Sequence, residues 1–64
     1  MKAYSVVTYY YDNCNVWDSI DSYYFSEDKA LEQMMTIQLQ YEYERLNPDN
    51  HWVGVVEIEI SEDN

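Results

Sequence analysis

Few residues in this chain have the types and spacing that covalent chemistry needs. Cys14 and His51 are the sole thiol and the sole imidazole. No motif links them, so a thiolate–imidazole nucleophile rests only on both being present. Asp18 with Asp21, and Glu57 with Glu59, are spaced like carboxylate pairs that do general acid–base work. On strand-like sequence with no pocket beside them, they are expected to be solvated instead. Gly54 is the only glycine, which leaves no glycine-rich cradle for a phosphate. The run Asp12-Asn13-Cys14-Asn15 lacks the spacing, the glycine and the closing glutamate of a calcium loop. One cysteine makes neither an internal disulfide nor a zinc site, a usage that fits a reducing cytoplasm. Enzyme activity, a cofactor and a metal are therefore not expected.

Recognition is the chemistry this composition favours. Among 64 residues, 13 Asp and Glu face only Lys2, Lys29 and Arg45, for a net charge of −10. Such a chain is a poor ligand for nucleic acid or an anionic membrane and a good one for a basic protein surface. Its charges also repel one another in the compact state, so added salt should stabilise the fold. Eight tyrosines, Trp17, Trp52 and Phe25 are too many aromatics to be buried together. The first strand carries them on both faces, Tyr4 and Tyr10 on one and Tyr9 and Tyr11 on the other. The outer face of the sheet is thus expected to show Tyr9, Tyr11, Trp17 and Tyr23 beside the carboxylates Asp18, Asp21, Glu57 and Glu59. Aromatic surface with few lysines has the composition of interface hot spots. Glu57 and Glu59, two apart on a strand, would stand about 6.6–7 Å from each other. A folded array of carboxylates can imitate the phosphate row of DNA.

These side chains need a scaffold, and a hydrophobic content of 47% is enough to fold one domain over 1–64. Residues 3–11 are rich in Tyr, Val and Thr and predict a strand. Asp12 to Asn15 predict a turn, and 16–24 a second strand closing a hairpin. Asp18, Ser19, Asp21 and Ser22 interrupt the second run and suit an edge. The third strand, 52–60, places Trp52, Gly54, Val56, Ile58 and Ile60 on one face, with Glu57 and Glu59 beside Val53 and Val55 on the other. Residues 61–64 read as a fraying acidic tail. No apolar run is long enough to span a membrane, and the start lacks a signal-peptide pattern.

Between the second and third strands, 27–46 predicts one long helix of about 30 Å. Ser26 is its N-cap, Glu27 and Asp28 favour the positive end of its dipole, and Phe25 and Ala30 have hydrophobic-staple spacing. Asn47-Pro48 is its stop. The fold class is α+β: ββαβ, a three-stranded antiparallel sheet of order 2-1-3 on one long helix. Strand one takes the centre because it holds no glycine, proline or charge over 3–11. The competing order sets strand three parallel to strand two through a right-handed crossover. The helix has more apolar surface than one sheet can bury. Ala30, Leu31, Met34, Ile37 and Tyr41 make a core face, while Met35, Leu39, Tyr43 and Leu46 form a further row. That row predicts either a broad core face or a helix-mediated contact, including a homodimer.

The segment from Tyr23 to Met34, YYFSEDKALEQM, resembles the strand–cap–helix start of short phage and prophage proteins. Small acidic phage proteins include inhibitors of the anti-CRISPR and anti-restriction type, some of which resemble DNA in charge. The resemblance implies a phage-encoded protein in the host bacterial cytoplasm, bound to the basic surface of a nucleic-acid-binding defence enzyme. A homo-oligomeric structural or regulatory protein is the alternative.

Overall fold

Two antiparallel ladders built on the first run of sequence determine everything above them. The computed structural model describes residues 1–61 and contains β1 (Lys2–Asp12), β2 (Asn15–Tyr24), α1 (Glu27–Tyr43) and β3 (His51–Glu59). β1 lies between β2 and β3 and pairs antiparallel with both. The α+β fold with strand order 2-1-3 is as expected, and the sheet is open. Each strand departs from its expected bounds by one residue at one end or both. Of the tail expected to fray, 62–64 lie outside the described residues. No helix among the described residues is long and apolar enough to cross a membrane.

The hairpin turns in two residues. Asn13 and Cys14 have φ of 48° and 68°, and Asp12 pairs with Asn15 below them. Two successive positive φ values fit the right-handed twist of the flanking strands, which is why Asn-Gly is the favoured pair there. Asn13 tolerates that conformation. Cys14 adopts it against a clash of its Cβ. Further along the ladder, Val6 pairs with Ser22 and Val7 with Ile20, so Asp21 is the extra residue of a β-bulge.

The helix starts as its sequence dictates. Ser26 is in extended conformation, and its Oγ accepts the Lys29 N–H at 3.4 Å. Phe25 remains 72% exposed, so the expected staple against Ala30 does not form. The helix also ends three residues earlier than expected, at Tyr43, leaving Leu46 outside it. Arg45 turns into the left-handed region with φ 59°. The Arg45 N–H donates to the Glu42 carbonyl at 3.1 Å and the Leu46 N–H to that of Tyr41 at 3.0 Å. This is the Schellman pattern, with arginine where glycine is usual. Asn47 then forms a second turn, its Oδ1 accepting the Asp49 N–H at 2.9 Å. Asn50 clamps the returning chain to β1 through Tyr11 N–H to Asn50 O at 2.8 Å and Asn50 Nδ2 to Tyr11 O at 3.1 Å.

The core is small. Val6, Ala30 and Ile37 are buried together, with Tyr4, Tyr24, Met34, Tyr41, Val53 and Val55 packed partly buried around them. Side chains alternate along a strand, so the even-numbered residues of β1 face α1 and the odd-numbered ones face away.

Cys14 and Arg45 each hold a left-handed backbone that glycine adopts without steric cost. Cys14→Gly should raise stability by about 0.5–1 kcal/mol, or roughly 2–8 °C in thermal midpoint. Arg45→Gly should exceed Arg45→Ala by a similar margin, a comparison in which the lost charge cancels. Thermal unfolding followed by circular dichroism measures both differences.

Candidate functional site

The two strand registers decide which side chains can act together. Tyr9, Tyr11 and Tyr23 are on the outer face, as expected, and Asp18 joins them opposite Tyr9. The other four predicted partners of that group are elsewhere. Trp17 pairs with Tyr10 and stacks on it at 5.7 Å between ring centroids, on the helix side. Glu57 and Glu59 pair with Tyr4 and Lys2, also on the helix side. Asp21, at the bulge, accepts from Gln33 Nε2 of α1 at 3.4 Å and from Ser22 Oγ at 2.9 Å. The expected acidic border of the outer face is therefore reduced to Asp18. The cause is register: Val53 and Val55 pair with Thr8 and Val6, whose side chains point at the helix, and their glutamate neighbours follow them.

The row that takes the glutamates' place on the outer face is Trp52, Gly54, Val56 and Ile58. Trp52 stacks on Tyr9 with centroids 5.6 Å apart and planes 16° from parallel. A trough of about 490 Å³ runs between Ile20 of β2 and Val56 and Ile58 of β3, floored by Ser5 and Val7. Ser5 is buried there, with its hydroxyl donating to the Val56 carbonyl at 3.3 Å. Ile20, Val56 and Ile58 did not figure among the residues expected to meet a partner. Val56 and Ile58 stand in a single-face row visible in the sequence of strand three, whose facing only the pairing with β1 decides, and Ile20 in the charge-interrupted second strand carries no such signal.

A second surface lies on the far side of α1. Met35, Leu39 and Tyr43 are 58, 63 and 88% exposed, so the sheet leaves this row uncovered. Leu46 is not part of it. Past the Schellman turn it is half-buried, lining a recess of about 360 Å³ with Tyr41, Pro48 and His51. At ~100° per residue, Asp28, Glu32 and Glu42 fall within about 60° of the exposed row. All three are exposed. Among the described residues, ion pairs engage only Glu57, with Lys2 at 2.9 Å, and Glu59, with the N-terminal ammonium at 3.6 Å. The Glu57 hydrogen bond holds the Lys2 pKa above its usual 10.5, so the small support from this exposed pair is present below that pH and lost above it. The helix carboxylates have no such partner.

His51 packs as a ring. Its centroid is 4.8 Å from that of Tyr10 and 6.2 Å from that of Tyr41, and its Nδ1 is buried without a hydrogen bond. Cys14 is exposed at the hairpin tip. The described residues contain no group of three or more His, Cys, Asp and Glu placed to hold a metal ion. Comparisons with protein-family models, curated proteins and solved structures find no match.

The core face and the outward row of α1 should separate in unfolding experiments. Ile37→Ala should cost about 2–4 kcal/mol because it empties a buried site. Leu39→Ala and Tyr43→Ala should each stay within about 0.5 kcal/mol of the parent chain. Urea denaturation of the three variants reads the contrast directly.

Proposed function

We propose that this chain is a small acidic interaction protein that occupies a basic, nucleic-acid-binding surface of a partner enzyme through the outward face of α1. The observation that carries this reading is the uncovered row Met35, Leu39 and Tyr43 lying among the unpaired carboxylates Asp28, Glu32 and Glu42. A basic surface consists of charged heads on apolar stems. Exposed Leu, Met and Tyr suit the stems, and the flanking carboxylates suit the heads. Carboxylates with no cation of their own also lose no internal partner on binding, which favours charge-assisted contacts with arginine. The net charge of −10 steers such an encounter from a distance. Together with the resemblance to short phage proteins, this supports a phage-encoded inhibitor of a host defence enzyme, of the anti-CRISPR or anti-restriction type, acting in the bacterial cytoplasm. Glu57 and Glu59 belong to the same helix-side layer of charge and extend it toward the β3 edge.

Tagged protein incubated with nuclease-treated bacterial lysate should retain a nucleic-acid-binding enzyme at ~50 mM salt and release it by ~500 mM. Tyr43→Ala should weaken that capture about tenfold or more, equivalent to ~1.4 kcal/mol, without changing the fold. Capture that is indifferent to salt, or to Tyr43 and its acidic neighbours, would rule out this surface.

A further inference from the structure

The outer face of the sheet has a different chemistry from the rest of the molecule, and it has no cover. Val16, Ile20, Tyr23 and Val56 are 57, 52, 59 and 42% exposed, and register places all four on that face. Asp18 is the one charged side chain that register puts with them among the described residues. The three cations and the other described carboxylates belong to the helix side, the helix, the bulge or the connecting turns. From these observations we infer that the outer face docks on the same face of a second copy of the chain, forming a symmetric dimer with a helix on each outside.

Area supports a partner of that size. The chain exposes 5091 Å², whereas a folded monomer of 7.8 kDa exposes about 4,400 Å². The excess, about 700 Å², approaches the ~800 Å² per partner of a stable interface. The radius of gyration is 13.4 Å against the ~10.7 Å of a compact domain of this length. Both departures are those of a thin two-layer slab, to which the bare outer face and the uncovered helix row both contribute.

Charge selects the occupant. A basic partner would meet almost no carboxylate on this face, and an acidic one fits only if it turns its own charge away from the contact. A second copy turned face to face brings its apolar side inward and its acidic helix layer to the far side, where the like charges are as distant as the assembly allows. Shape agrees, because the small side chains of Ser5 and Val7 run along the middle of the face with Ile20, Val56 and Ile58 raised beside them. A two-fold contact places the raised residues of one copy in the trough of the other. Sheets stacked in this way lie about 10 Å apart.

Sedimentation equilibrium of the full chain from ~10 to ~500 µM, at ~50 and ~500 mM NaCl, tests the inference. The expected result is a monomer–dimer equilibrium whose Kd falls several-fold at high salt, the opposite sign from capture of a basic partner. Ile20→Glu should raise Kd at least tenfold, and Leu39→Glu, the same charge change on the helix, should leave it within about twofold. Val56→Glu repeats the test from the other strand if Ile20→Glu does not fold. Dilution of the unaltered chain should move the amide resonances of Val7, Ile20 and Val56 and leave that of Leu39 in place. A chain that stays monomeric throughout, or a dimer broken by Leu39→Glu and not by the sheet variants, overturns the inference. No lysate or foreign partner enters this experiment, so its failure leaves the helix surface untouched.

Discussion

Val6 is the fixed point of this structure. Its side chain is completely buried with Ala30 and Ile37 of the helix, and its backbone is paired to Ser22 on one side and Val55 on the other. A one-residue slip of either ladder would turn every side chain of the slipped strand to the opposite face. The helix requires Val55 on its side, so Val56 and Ile58 go outward. It requires Tyr24 on its side, and the bulge at Asp21 then lets β2 realign so that Ile20 goes outward opposite Val7. The apolar outer face and the acidic helix side thus follow from the burial of one valine between two registers.

The same point explains which parts could be read without coordinates. The centre of the sheet was legible because residues 3–11 carry no charge, glycine or proline, and an unblemished run has no better place than between two edges. The helix start was legible because Ser26 followed by Glu27 and Asp28 satisfies both the orphan N–H groups and the dipole. Its end was not. The usual sign of a Schellman stop is glycine at the left-handed position, and here that position is Arg45, so Asn47-Pro48 passed for the terminus. The facing of β3 was illegible for a different reason. Trp52, Val56 and Ile58 on one side and Val53 and Val55 on the other are both apolar rows, and alternation alone does not rank them. Only the pairing of Val55 with Val6 does, and with it the position of Glu57 and Glu59. Of the interaction group read from sequence, the registers bring Tyr9, Tyr11, Tyr23 and Asp18 onto one face. For Trp17, Asp21, Glu57 and Glu59 that reading crossed the sheet.

A chain of this size has little core to set against its own charge. Five apolar residues are buried, two of them alanine, while 13 acids face three cations. Such a molecule tolerates its repulsion only by keeping the carboxylates apart and wet. The fold does this by distributing them over the helix, the edges and the turns. The ion pairs among the described residues, Lys2 with Glu57 and the N-terminal ammonium with Glu59, close the free end of β1 onto β3. They secure a strand end and leave the helix charge unquenched.

Segregation of that kind has a consequence for binding. An apolar face with one carboxylate among its described residues is desolvated at lower cost than the acidic one, since its tyrosine hydroxyls and the Trp52 N–H sit at the tips of rings that can reach a partner or the rim. An acidic face with an apolar row running through it gains most from cations that arrive with their own apolar stems. The two surfaces therefore respond to salt in opposite directions, screening helping one and hindering the other. They also lie on opposite sides of a slab held together by Val6, so occupying one need not obstruct the other. A dimer formed through the sheet would present two acidic helices back to back. Where one bivalent basic partner reaches both, the second contact gains effective concentration from the first, an advantage that a monomer of 64 residues has no other surface to supply.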